Sequence, residues 1–185
     1  MNSTYAGIGS RYITETTAAN MQSLGYLLAM LGVTLRSGAA DGADAAFEQG
    51  CDLLNGPKEI FLPWRRFKEH PSPLFTISDK AYKTAQKYYK FDNWYSCKDL
   101  TKRFLARDCQ QVSGQNLDDF VDFVVCYTRD GCEHHDDRTR DTGGTGQAIS
   151  YASLNNVPVF NLHNKDRFDD LAEFIRTHYY EPQQR

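Results

Sequence analysis

Three glycine-rich turns, GIGSR at 7–11, SGAADG at 37–42 and TGGTG at 142–146, constrain this chain more than any other feature. Each follows a short apolar run and precedes a helical pattern. The runs at 3–6, 33–36, 59–62, 121–127 and 157–161 read as strands. The 121–127 segment, VDFVVCY, is almost continuously apolar, as expected of a strand covered on both faces of a parallel sheet. Ala18, Met21, Leu24, Leu28 and Leu31 recur at three- and four-residue steps, so the spacing predicts a helix over 14–31, stopped by Gly32. Further helices are predicted at 43–54, 146–155 and 168–179. The alternation predicts an α/β fold, a Rossmann-like open and mostly parallel sheet with helices on both faces.

Size and charge narrow the reading further. The 185 residues suit a single domain spanning 1–185, and no apolar run approaches the roughly 18–20 residues of a membrane span. The opening MNSTYAGIGSR has no basic region followed by an apolar one, so no signal peptide is predicted. Five scattered cysteines, Cys51, Cys97, Cys109, Cys126 and Cys132, form no C-x-x-C pair and read as reduced thiols of a cytoplasmic protein. The net charge of −3 is unevenly spread. Residues 65–107 hold 11 Lys or Arg, 4 acidic residues and nine aromatics, a segment of +7 within a remainder of −10. This segment is expected to be a basic aromatic helical insert.

The turns nominate the ligand site. Gly7 and Gly9 let a ligand approach the backbone, and Ser10 and Arg11 add donors suited to phosphate. Tyr12 stands where a G-x-G-x-x-G fingerprint needs its third glycine, and no Gly-Lys-Ser/Thr of a P-loop is present. In the second turn Arg36, Ser37, Gly38, Gly42 and Asp44 are candidates, with Asp44 either capping a helix or meeting a sugar. Glu48 lies four residues on, on the same helical face. The third turn offers Gly143, Gly144, Thr145, Gly146 and Gln147 at a helix start, a ready anion site. Three such turns at strand ends converge on one edge of a doubly wound sheet, where open α/β folds bind ligands. Cys126, Cys132, His134, His135, Asp136 and Asp137 do not have zinc spacing, so no metal and no cofactor is expected. The loop at 133–141 reads instead as a mobile charged lid from which His134 or His135 reaches a ligand.

YAGIGSR, LRSGAADGADAAFEQG, KEIFLPW, VDFVVCYTRDG, TGGTGQAISYA and VPVFNL, in that order, resemble the Rossmann-like proteins of the SLOG superfamily. The similarity is greatest to its small stand-alone branch, often phage-carried and related to the DNA-processing protein A fold. That resemblance implies a nucleotide or nucleotide-derived ligand whose phosphate rests on the first and third turns, in the host cytoplasm if the chain is phage-encoded. The related Lonely-guy phosphoribohydrolases carry a glutamate two residues after their glycine turn, where this chain has Ile149.

Three functions follow as expectations. The first is a nucleotide-binding module, sensor or sequestering protein, which needs only the three turns. The second is a nucleotide N-glycosidase with Asp44 and Glu48 as catalytic carboxylates and Arg11 or Arg36 clamping the phosphate. The third is a single-stranded nucleic-acid binder, for which the +7 aromatic segment would supply stacking and phosphate contacts. Self-association into a homo-oligomer through that segment is also expected.

Overall fold

The computed structural model describes residues 3–91 and 93–180. Five parallel strands lie in the order β3-β2-β1-β4-β5, with β1 at Thr4–Gly9, β2 at Thr34–Ser37, β3 at Lys58–Ile60, β4 at Phe123–Tyr127 and β5 at Val159–Asn161. Alternate side chains of β4 sort into two layers. Val124 and Cys126 join Ala6 and Ile8 in one core, whereas Phe123 and Val125 join Tyr5 and Leu35 in the other. Both faces are therefore covered, and VDFVVCY needs no polar alternation.

The second of these cores is closed by α1 (Glu15–Met30), α2 (Ala43–Asp52) and α6 (Arg167–Ile175). The Thr14 hydroxyl accepts from the Thr17 N–H and starts α1. At its far end Gly32 takes φ +74°, the left-handed value that suits glycine after a helix. Helices α1 and α2 meet through glycines. A Cβ on Gly25 would lie 2.6 Å from the Phe47 carbonyl, and one on Gly50 would strike the Gln22 carbonyl.

On the other face lie α3 (Asp79–Lys87), α4 (Asp99–Ser113) and α5 (Gly146–Ser153). Helices α3 and α4 belong to the connection that leaves the edge strand β3, passes over β2 and β1, and enters β4. The basic segment at 65–107 thus supplies α3 and the first part of α4. Ala81, Ala85, Leu105 and Ala106 from it are buried in the core on this face. Among the described residues, no helix is long and apolar enough to cross a membrane.

The glycine contact between α1 and α2 can be tested. We expect Gly50→Ala to destabilise the fold by about 1–3 kcal/mol, because the methyl group must push one helix backbone from the other. A urea-unfolding midpoint equal to that of the parent would refute the close contact.

Candidate functional site

Strand order reverses between β1 and β4, and the ends of these two strands are aligned, with Gly9 opposite Tyr127. The Ser10 N–H donates to the Tyr127 carbonyl at 2.9 Å, and the Ala43 N–H donates to the Ser10 carbonyl at 3.1 Å. The first and second turns are stacked on each other. At Gly42, with φ +75°, a side chain would collide with the Ser10 and Arg11 carbonyls. Glycine is required here by the neighbouring turn.

The centre of this edge is occupied by the protein's own carboxylate. Asp44, in the first turn of α2, is buried and accepts from the Gly9 N–H at 3.2 Å. Backbone N–H groups of Ala40 and Gly38 also bond to it, and Arg107 Nη1 lies 3.6 Å from its second oxygen. Burial raises the Asp44 pKa, while Arg107 and the three N–H groups oppose that rise. These are the donors that an anion on the first two turns would use.

Arg107 reaches the site from α4 and lies flat over Gly38, leaving no room for a side chain there. Gln111 accepts from the Gly38 N–H at 2.9 Å and from Arg107 Nη1 at 3.1 Å through its amide oxygen, and donates to Asp108 at 3.2 Å. Asp108 also lies 3.3 Å from Arg107 Nε. Its pKa is pushed up to about 7 by burial, with Arg107 opposing, Asp44 adding to the rise and Arg138 opposing again. Arg138, from the β4–α5 connection, packs over Gly146 and donates to Ser150 Oγ at 2.8 Å.

The structure sorts the expected residues into three groups. Several are committed to packing or internal bonds. Gly7 lies beneath the Phe47 ring, Ser37 Oγ donates to the Gly7 carbonyl at 2.7 Å, and Gln147 is buried and donates to the Ala85 carbonyl at 2.9 Å. Ser10 Oγ accepts from the Tyr12 N–H and donates to the Tyr12 carbonyl, so it shapes its own turn.

Arg36 and Glu48 are brought elsewhere. Strand parity puts Arg36 on the Ala6 face, where it binds Glu59 at 2.6 Å and Asp119 at 2.5 Å. The guanidinium expected to clamp a phosphate is thus engaged by these two carboxylates. Glu48 pairs with Lys58 and His70, each at 2.8 Å, one helical turn below Asp44. The carboxylate expected beside Asp44 over a sugar is thus engaged by these two side chains. Ile149, at the glutamate position of the Lonely-guy turn, is fully buried.

The remaining residues face solvent. Arg11 is exposed with no partner among the described residues, and Tyr12 beside it is 76% exposed. Gly143 and Gly144 are exposed, with open space where a side chain would stand. Thr145 precedes α5 without capping it through its side chain.

The 133–141 loop, expected as a lid, is bonded to the body of the protein at several points. His135 pairs with Ser150 Oγ at 2.8 Å, and Glu133 holds Arg167 and the Asn161 N–H. Lys90 Nζ donates to the carbonyls of His135 and Asp136. Just before it, burial would raise the Asp130 carboxyl, yet hydroxyls of Thr139, Thr142 and Thr128 hold it at about 2. No group of three or more metal-binding side chains occurs among the described residues.

Arg107, Asp108, Gln111 and Arg138 were not nominated by the sequence. Arg107, Asp108, Gln110 and Gln111 are polar positions flanking Cys109, and nothing in the sequence pattern marks them as buried.

No family model matches the chain, and no curated protein matches it by sequence. Among solved structures it resembles DNA processing protein A from Helicobacter pylori, with a TM-score of 0.54 at 19% identity, covering 92% of this chain and 72% of that one. That structure was described for the single-stranded DNA binding mode of its protein. The likeness shows a Rossmann-like α/β fold akin to that of DNA processing protein A.

The buried Asp108 has a consequence for stability. Because its folded pKa lies above the ordinary 3.8, the folded chain holds this proton more tightly than the unfolded chain. The contribution of Asp108 to stability therefore falls as pH rises from 3.8 towards about 7. We expect Asp108→Asn to lack that fall, so that its urea midpoint gains on the parent's between about pH 5 and pH 8. Parallel midpoints over that range would exclude a neutral Asp108.

Proposed function

We propose that the chain binds single-stranded nucleic acid across the carboxyl edge of its sheet. The observation behind this reading is the contrast between a closed interior and an open rim. Asp44 takes up the backbone donors of the first two turns, while Arg11 and Tyr12 stand exposed directly above them. A filled cradle disfavours a deeply seated phosphate. An exposed guanidinium beside an exposed phenol suits a phosphate backbone with a base stacked next to it.

The third turn extends the surface. Gly143 and Gly144 leave their backbone open at the start of α5, and Arg129 is exposed two residues past β4. Helix α4 passes Gly38 at Arg107, and Gly114 directly after it lies beside Arg36, so its first turns lie beyond the sheet edge. Lys98 and Arg103 are exposed there, Lys102 sits 5.9 Å from the Trp94 ring, and Tyr95 is 79% exposed. The single-stranded DNA binding described for the Helicobacter pylori protein supports the same reading.

A mononucleotide on the third turn is the narrower reading, favoured by the uncapped start of α5 and the space around Gly143 and Gly144. The N-glycosidase reading draws no support from Asp44 and Glu48, whose side chains are only 5% and 13% exposed and already paired.

Fluorescence anisotropy with a labelled oligothymidylate tests the proposal. We expect binding that weakens with salt, and an Arg11→Ala salt slope smaller by about 0.7, the contribution of one phosphate contact. Tyr12→Ala should cost about 1–3 kcal/mol, the usual range for one stacked base. No binding of any single strand at low salt would overturn the proposal. Equal affinity for mononucleotide and oligonucleotide would favour the narrower reading.

A further inference from the structure

A second recognition element lies beyond β2, in the loop that follows β3. A cavity of about 330 Å³ opens there, lined by Arg65, Arg66, Glu69, Ser72 and Phe75. That volume lies at the small end of pockets that enclose one small molecule, about 300–1,000 Å³. Arg65 and Arg66 are exposed and have no partner among the described residues. The lining thus carries two arginines against one glutamate, an excess of positive charge.

The walls are preformed. Ser72 Oγ donates to the Ile60 carbonyl at 2.6 Å and accepts from the Leu74 N–H, while the Ser72 N–H donates to His70. His70 is held by Glu48, and the Leu62 N–H donates to the Leu74 carbonyl at 2.7 Å. Arg66, Lys68 and Glu69 all adopt left-handed φ values, 56°, 51° and 60°, which residues with side chains adopt only when held. They are held by an ion pair between Lys68 and Asp41 and by edge-to-face contacts among Trp64, Phe67 and Phe104. The surroundings fix a costly backbone shape in the segment that presents both arginines.

We propose that this cavity receives the terminal phosphate of a bound single strand, with its last nucleotide against Phe75. A terminal phosphomonoester carries about −1.5 to −2 at neutral pH and three acceptor oxygens. A chain-internal phosphodiester offers one charge and two such oxygens. Two adjacent arginines match the monoester because each can form a bidentate, charge-assisted pair. Phe75 supplies an apolar wall for the base or sugar, and Glu69 can accept from a base amino group or a sugar hydroxyl. The connection to the rim is direct. Lys68 pairs with Asp41, and the adjoining Gly42 abuts the Arg11 carbonyl.

The inference rests on the single-strand reading for its ligand, and its test separates the two. Internally labelled oligonucleotides of one sequence, with a 5′-phosphate, a 3′-phosphate or neither, are titrated against the parent, Arg11→Ala, and the double variant Arg65→Ala plus Arg66→Gly. Glycine at 66 suits the left-handed backbone and keeps the loop's shape. We expect one phosphorylated end to raise affinity at least about tenfold, the effect of one hydrogen bond to a charged group. The double variant should lose that gain, whereas Arg11→Ala should weaken all three oligonucleotides by the same factor. The end that gains identifies the polarity of the bound strand. Equal affinity of all three for the parent would overturn the inference while leaving single-strand binding intact. If no oligonucleotide binds, the function proposed above fails. Calorimetry with nucleoside 5′- and 3′-monophosphates then judges the cavity, supporting it if binding is lost in the double variant and overturning it if the parent binds neither.

Discussion

The buried Asp44 carboxylate organises this edge of the protein. One side chain takes N–H groups from Gly9 at the end of β1 and from Gly38 and Ala40 after β2, and it faces Arg107 from α4. It thereby joins two strands, the start of α2 and the connection between β3 and β4. A buried carboxylate persists only when hydrogen bonds and an opposite charge offset its desolvation. The surrounding glycines follow from that demand. Gly9 and Gly42 let two turns stack, and Gly38 lets the Arg107 guanidinium lie against the backbone.

This arrangement changes what the glycine turns mean. In an open α/β sheet, turns at the strand ends usually present backbone N–H groups to a ligand. Here Asp44 takes N–H groups from the first two, and only the third leaves two glycines, Gly143 and Gly144, facing empty space. Charge on the rim is therefore held by side chains such as Arg11 and not by a deep cradle. A side-chain rim tolerates a ligand that continues in both directions, as a polynucleotide does.

Most of the fold was legible in the sequence because it rests on periodicity. The uninterrupted apolar run of β4 announced a strand buried on both faces, and the steps from Ala18 to Leu31 announced α1. The candidate edge was legible too, since glycines after strands mark it. The partners of the side chains around it were not. Arg36 follows strand parity into the layer beneath α4, and Glu48 descends one turn to meet Lys58 and His70. Spacing within one helix could not reveal partners contributed by β3 and the loop beyond it. Arg107 and Asp108 were hidden for a related reason. Their burial depends on α4 crossing the end of β2, where Arg107 meets Gly38, a residue far away in sequence.

The basic segment then acquires two roles separated by a few residues. Its inner end supplies Arg107, whose guanidinium lies beside Asp44 and Asp108 inside the protein. Its outer part keeps Arg65, Arg66, Lys98 and Arg103 in solvent. Interior pairing lowers the number of cations available to a ligand but fixes the helix that carries Arg103 and begins just after Lys98. Cations on such a fixed element lose less freedom when they meet an anion than cations on a loose tail would. The local excess of +7 is consequently a poor measure of binding strength. What matters is how many of those charges the buried carboxylates leave outside, and how rigidly they are held.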